Sequence, residues 1–198
     1  MNKIGIMIGS FNPVHNGHLM VMNYLLNKEV VDKVIVVPSP DSFGKSGLID
    51  FNSRLDMLNL ATVKVPEIEI LDIELSLSGY TADTLRYFKN KYKGDKVFLV
   101  IGRDNLEPLT KFKDFTWISN NTPLIVLDRE CNFGDGDRDD FVYIEEVLFL
   151  KDFPTTKLSS SMIREELKEG KDVWAYVPEL VRDYIKENKL YGSDKQCK

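Results

Sequence analysis

His15 and His18 are the only two histidines in a chain of 198 residues. They close the segment Gly9-Ser10-Phe11-Asn12-Pro13-Val14-His15-Asn16-Gly17-His18, directly after an apolar run, Ile4-Gly5-Ile6-Met7-Ile8. Gly9 and Ser10 let backbone come close to a ligand, and Pro13 fixes the turn. Asn12 can satisfy local backbone groups or reach a ligand. A helix starting near Asn16 would aim its first free N–H groups and its dipole at the same spot. Imidazoles three residues apart share a helix face and could meet one group. The chemistry this favours is anion binding, phosphate above all. A satisfied polar turn is the plain structural alternative. Metal ligation fits poorly, because there is no third histidine and no suitably placed carboxylate nearby.

A second concentration of polar chemistry lies at Leu158-Ser159-Ser160-Ser161-Met162-Ile163-Arg164. Serines at a helix start cap free N–H groups, whereas Arg164 in the first turn opposes the helix dipole and wants a compensating anion. Taken alone, the segment reads as a serine cap beside a solvated arginine. Taken with the histidine turn, its amides, hydroxyls and guanidinium read as a polyphosphate clamp. The acidic stretch Asp135-Gly136-Asp137-Arg138-Asp139-Asp140, with Glu146, nearly fits a calcium loop but lacks the required glycine at its sixth position. A solvated acidic insertion is the expectation there.

The elements that must position these residues alternate. Short β-branched runs at Ile4–Ile8, Val34–Val37, Ile68–Ile73, Val97–Ile101, Leu124–Leu127 and Leu148–Leu150 predict strands. Between them Leu19/Met22/Leu26 and Leu85/Phe88/Tyr92 recur at helical spacing, with a looser Leu55/Leu58/Val65 repeat. Such alternation predicts right-handed crossovers and a mostly parallel α/β sheet covered by helices on both faces. Ligands then bind at the carboxyl ends of the strands, where the strand order reverses. After Leu150, Ser159–Glu169 and Pro178–Glu187 read as two helices, the first ended by Gly170. The expectation is one domain over 1–198, with an α/β core to about 150 and a C-terminal extension to about 191.

Bulk composition narrows the class. Hydrophobic residues make up 43% and charged residues 29%, and the net charge of −5 leaves no electrostatic footprint for nucleic acid. No apolar run approaches the ~18 residues of a membrane span, and the N-terminus lacks a signal-peptide pattern. Cys131 and Cys197 are too few for a disulfide framework, which fits a reduced, cytoplasmic setting. Nothing in the sequence specifies an oligomeric state.

Both polar segments carry a resemblance. Gly-Ser-Phe-Asn-Pro-x-His-x-Gly-His at 9–18 resembles the signature of the nucleotidyltransferase superfamily, whose motif is His-x-Gly-His. Leu158–Arg164 is similar to the Ile-Ser-Ser-Thr-x-Ile-Arg motif of nicotinate- and nicotinamide-mononucleotide adenylyltransferases. Between them, Tyr80-Thr81-Ala82-Asp83-Thr84-Leu85 and Ile101-Gly102-Arg103-Asp104 resemble segments of the bacterial nicotinate enzymes, with Arg103 replacing a small residue. Gly44-Lys45-Ser46-Gly47-Leu48, with Arg54 and Met57 behind it, is closer to the nicotinamide-preferring relatives, and Val177 to Tyr191 matches the C-terminal helix of both. The likeness runs from about residue 3 to 191.

The resemblance implies a Rossmann-like, doubly wound sheet and adenylyl transfer from ATP, carried with Mg²⁺, to a pyridine mononucleotide. It implies that His18 contacts the α-phosphate, that His15 helps hold the triphosphate, and that Arg164 with Ser159, Ser160 and Ser161 binds the β and γ phosphates. Gly9, Ser10, Phe11 and Gly17 would shape the ATP site. Gly102 and Asp104 would receive the adenosine. Asn12, Lys45, Tyr80, Thr81 and Phe112 would face the mononucleotide. Lys45 is as readily a solvated loop lysine, and Phe112 as readily plain core. Nicotinate is the expected acceptor and nicotinamide mononucleotide the rival; a nucleotide-binding regulator without turnover is the alternative from another class.

Overall fold

The computed structural model describes residues 1–41, 47–127, 144, 146–150, 152–154 and 156–196, without the side chains of 194–196. Six strands form one sheet: β1 (Lys3–Gly9), β2 (Lys33–Pro38), β3 (Ile68–Ile70), β4 (Lys96–Gly102), β5 (Leu124–Leu127) and β6 (Val147–Leu150). Their order is β3-β2-β1-β4-β5-β6 and every pairing is parallel. The expected mostly parallel sheet is therefore wholly parallel among the described residues, and the order reverses between β1 and β4. That reversal opens a crevice at the carboxyl ends of two adjacent strands.

Alternate residues of each strand face opposite layers, as the two-residue period of a strand requires. Val34 and Val36 of β2 join one core with Met7, Phe98 and Val100, whereas Ile35 and Val37 join the other with Ile4, Ile6, Val97 and Leu99. Helices α1 (Asn16–Asn27) and α2 (Phe51–Thr62) cover the first face, and α3 (Thr81–Lys91), α4 (Leu106–Leu109) and α5 (Phe115–Asn121) cover the second. Two later helices, α6 (Ser160–Lys168) and α7 (Glu179–Glu187), return to the first face. Their Ile163, Leu167, Val181 and Ile185 are buried in the same cluster as Met22 and Leu58.

Four departures from the sequence expectation have local causes. The third strand stops at Ile70 rather than Ile73, because β3 is an edge strand whose last tie is Leu71 N–H to Val36 O; residues Ile73–Leu75 then wind into a single 3₁₀ turn. The buried face of α1 is centred on Val21, Met22 and Leu25, not on Leu19 and Leu26. Val65 and Tyr92 lie beyond the ends of α2 and α3. Helices α4 and α5 are new, at four and seven residues too short to show a helical period. Among the described residues no helix is long and apolar enough to cross a membrane. Gly44, Lys45, Ser46, the acidic stretch 135–140, Cys131 and Cys197 lie outside the described residues.

Candidate active site

The turn after β1 is shaped for close approach. Phe11 takes a left-handed backbone at φ 46°, the Asn12–Pro13 peptide is cis, and His15 stands extended at the N-cap of α1. His15 is 2 % exposed and its ring stacks on that of His18, centroids 3.8 Å apart at 29°. Phe11 meets His18 edge-on at 5.0 Å. The backbone N–H of His15 donates to Nδ1 of His18 at 3.2 Å. An accepting Nδ1 assigns the His18 proton to Nε2, so the half-buried imidazole presents an N–H donor on its far side. The helix start adds the amides of Asn16 and Gly17 beside it, whereas that of His18 donates to His15 O at 2.9 Å.

The serine-arginine segment meets this turn directly. Ser159 caps α6, its Oγ accepting from Met162 N–H at 3.1 Å. Ser160 Oγ donates to Pro13 O at 2.8 Å, and Arg164 Nη1 donates to Asn12 O at 2.8 Å. Arg164 Nη2 also donates to Ser161 Oγ at 3.2 Å. Two segments about 150 residues apart thus share one rim, where the first turns of α6 bond the loop that leads into α1. Ser159 Oγ accepts from its own helix and keeps its proton to donate, whereas the Ser160 hydroxyl proton goes to Pro13 O.

Asn12, expected to face the mononucleotide, is a buried hub. Its Nδ2 donates to Gly47 O at 2.8 Å, and its Oδ1 accepts from Tyr191 Oη at 2.7 Å and from Ile49 N–H at 3.4 Å. Burial pushes the Tyr191 phenol well above its ordinary value despite the opposing charges of Arg164 and Arg54, so the hydroxyl stays a donor. Sequence reasoning missed Tyr191 because its partner lies 179 residues away.

It missed the role of Arg54 as well. This side chain is fully buried and donates to Ser10 O and Ser39 O at 2.8 Å, to Ile49 O at 3.2 Å and to Asp41 Oδ1 at 2.5 Å. It clamps the loops leaving β1 and β2. An arginine on the same helix face as Phe51, Met57 and Leu58 was the available signal, because a buried charge needs such partners.

The remaining expected residues lie at the carboxyl ends of the other strands. Gly102 ends β4, beside β1 across the reversal, and Asp104 is exposed in the following 3₁₀ turn Arg103–Asn105. Tyr80 caps the start of α3 with Thr81 as its first residue, and Tyr80 and Phe112 are each 39 % exposed. Phe112 is therefore not plain core. Lys113 Nζ stands 4.2 Å from the Tyr80 ring centroid, which brings the Phe112 loop against the start of α3. Among the described residues no group of three His, Cys, Asp or Glu could hold a metal ion.

A wholly parallel, doubly wound sheet with phosphate-binding chemistry at its reversal point defines an α/β nucleotide-binding protein. The cytidylyltransferase-like family pattern matches residues 6–166. The chain is 33% identical to a probable nicotinate-nucleotide adenylyltransferase of Dictyoglomus turgidum, across 98% of both proteins. It is also 33% identical to the nicotinate-nucleotide adenylyltransferase of Bacillus subtilis, over 98% of this chain and 100% of that protein. The chain belongs to the nicotinate-nucleotide adenylyltransferase family of nucleotidyltransferases. In fold it matches a Plasmodium falciparum nicotinic acid mononucleotide adenylyltransferase complexed with NaAD, with a TM-score of 0.81 at 22% identity over 97% of this chain and 98% of that one.

Proposed function

We propose that the protein transfers the adenylyl group of ATP to nicotinate mononucleotide, forming deamido-NAD and releasing pyrophosphate, a cytoplasmic step of NAD synthesis. The observation that carries this reading is the junction of the two anchors, where Ser160 and Arg164 bond the turn that holds both histidines. The acceptor phosphate attacks the α-phosphorus in line; a P–O bond forms as the bond to the bridging α–β oxygen breaks. A phosphate monoester has its second pKa near ~6 and is mostly dianionic at neutral pH, so no general base is needed. The protein's task is alignment and charge stabilisation.

Nε2–H of His18 donates to the α-phosphate as charge builds on it. His15 acts chiefly through His18, fixing its tautomer from the backbone and its plane by stacking. Arg164 and the first amides of α6 neutralise the departing pyrophosphate, and Mg²⁺ arrives with ATP as part of the substrate. Gly9, Ser10, Phe11 and Gly17 shape the floor of the site, Gly102 and Asp104 receive adenosine, and Tyr80, Thr81 and Phe112 frame the pyridine. Pyrophosphate release from ATP, measured with each mononucleotide in turn, tests the reading. Nicotinate mononucleotide is the expected acceptor, and His18→Ala is expected to lose turnover by about 10²–10³-fold while staying folded. Preference for nicotinamide mononucleotide would overturn the acceptor assignment; release with neither acceptor would overturn the reaction.

A further inference from the structure

Beside the start of α3 stands a cation that the reaction as described leaves unused. Lys113 is exposed and rests its ammonium on the face of Tyr80, 4.2 Å from the ring centroid. Two carboxylates lie in the same neighbourhood, and both are engaged by a different cation. Arg86 Nη1 donates to Asp83 at 2.8 Å and to Asp114 at 2.9 Å, and the Arg86 guanidinium stacks on Trp117 at 4.5 Å. Asp83 also accepts from the Ser78 hydroxyl. Ser78 and Arg86 hold its carboxyl below the usual range, with the field of Lys113 adding to the effect. Lys113 itself has no carboxylate at ion-pair distance among the described residues. Asp83 and Asp114 share one arginine, so the triad itself is net negative; Lys113 offsets it at the Tyr80 end, and Lys89, 5.9 Å from the Trp117 centroid, at the other.

The two candidate acceptors differ at one substituent, an anionic carboxylate against a neutral amide. A lone negative field beside the pyridine would penalise the acid. A cation seated on an aromatic face, with part of its hydration removed, would favour it.

We propose that Lys113 is a specificity-determining residue, its ammonium on the Tyr80 ring biasing acceptor choice toward the pyridine carboxylate over the carboxamide. This rests on the reading above that Tyr80, Thr81 and Phe112 frame the pyridine. Phe112 and Tyr80 grip the ring and discriminate little, since both acceptors share it. Lys113 supplies the charge, and the amides of α3 receive either substituent. Because the ammonium is exposed, its contribution is screened by salt.

The test is kcat/KM for both mononucleotides, with ATP saturating, at low and high ionic strength, in the wild type, Lys113→Met and Lys113→Arg. The wild-type preference for the acid is expected to shrink as salt rises. Lys113→Met is expected to lower the preference about tenfold, equivalent to about 1.4 kcal/mol, chiefly through KM for the acid, and to remove its salt dependence. Lys113→Arg is expected to restore most of it. A preference unchanged in an active Lys113→Met enzyme, or both acceptors losing equally, would overturn the assignment. A wild type inactive with either mononucleotide would instead overturn the underlying reaction, and this assignment with it.

Discussion

A methyl group added at Gly17 would come within 3.0 Å of both Cε1 and Nδ1 of His15. Those atoms belong to a ring that is 2 % exposed and stacked on His18, so it has little room to retreat. The glycine between the histidines therefore sets how close α1 lies to the imidazole pair. Alanine within a helix is intrinsically favoured over glycine by about 1 kcal/mol, which offsets part of any packing cost. Gly17→Ala is thus expected to keep a melting temperature near that of the wild type while kcat drops about 10²-fold, the loss typical of a displaced catalytic group. Steady-state kinetics beside a thermal melt would separate the two effects. An unchanged kcat would mean that the stack does not position His18.

At the scale of elements, the first turn of α3 is held by a carboxyl that the sequence did not single out. Glu74, in the 3₁₀ turn after β3, is 2 % exposed and accepts from Thr84 Oγ1 of α3; its Oε2 has no partner among the described residues. Burial pushes this carboxyl above its ordinary value, against the opposing pull of the Thr84 hydroxyl. The folded state then holds a proton that the unfolded chain releases near pH ~4.3. Its contribution to stability is fully present below that pH and is lost as pH rises through the elevated folded value. Glu74→Gln keeps an acceptor for Thr84 without the charge. Denaturant unfolding from pH 4.5 to 8 is expected to show the variant gaining on the wild type as pH rises. A difference that stays flat would place the proton elsewhere.

Buried parallel strands are near-continuous apolar runs, which is why Ile4–Ile8 and Leu124–Leu127 were legible in the sequence. The two segments proposed to face ATP were legible because each is a strand end or a helix start with local polar chemistry. The contacts that Asn12, Arg54 and Tyr191 make were not, since their partners come from distant loops and no local period announces them.

The whole molecule depends on which sheet face its C-terminal arm covers. Ile163, Leu167, Val173, Val177, Val181 and Ile185 all lie in the cluster that holds Met7, Met22, Val34 and Leu58. Tyr184 of α7 also donates to Asp56 of α2 at 3.0 Å. The arm that delivers Arg164 and Tyr191 to the histidine turn is therefore part of the core beneath that turn. Such an arrangement predicts that fold and site are lost together. Ile185→Ala, which removes a fully buried side chain, is expected to cost about 2–5 kcal/mol. Trp174, on the arm, and Trp117, on the opposite face of the sheet, can be followed separately in single-tryptophan variants. Both are expected to report one transition, shifted by the same amount, with adenylyl transfer failing at that temperature. If Trp174 melts first while Trp117 keeps the wild-type midpoint, the arm is an independent unit that docks on a finished sheet, and the site must be assembled after the core.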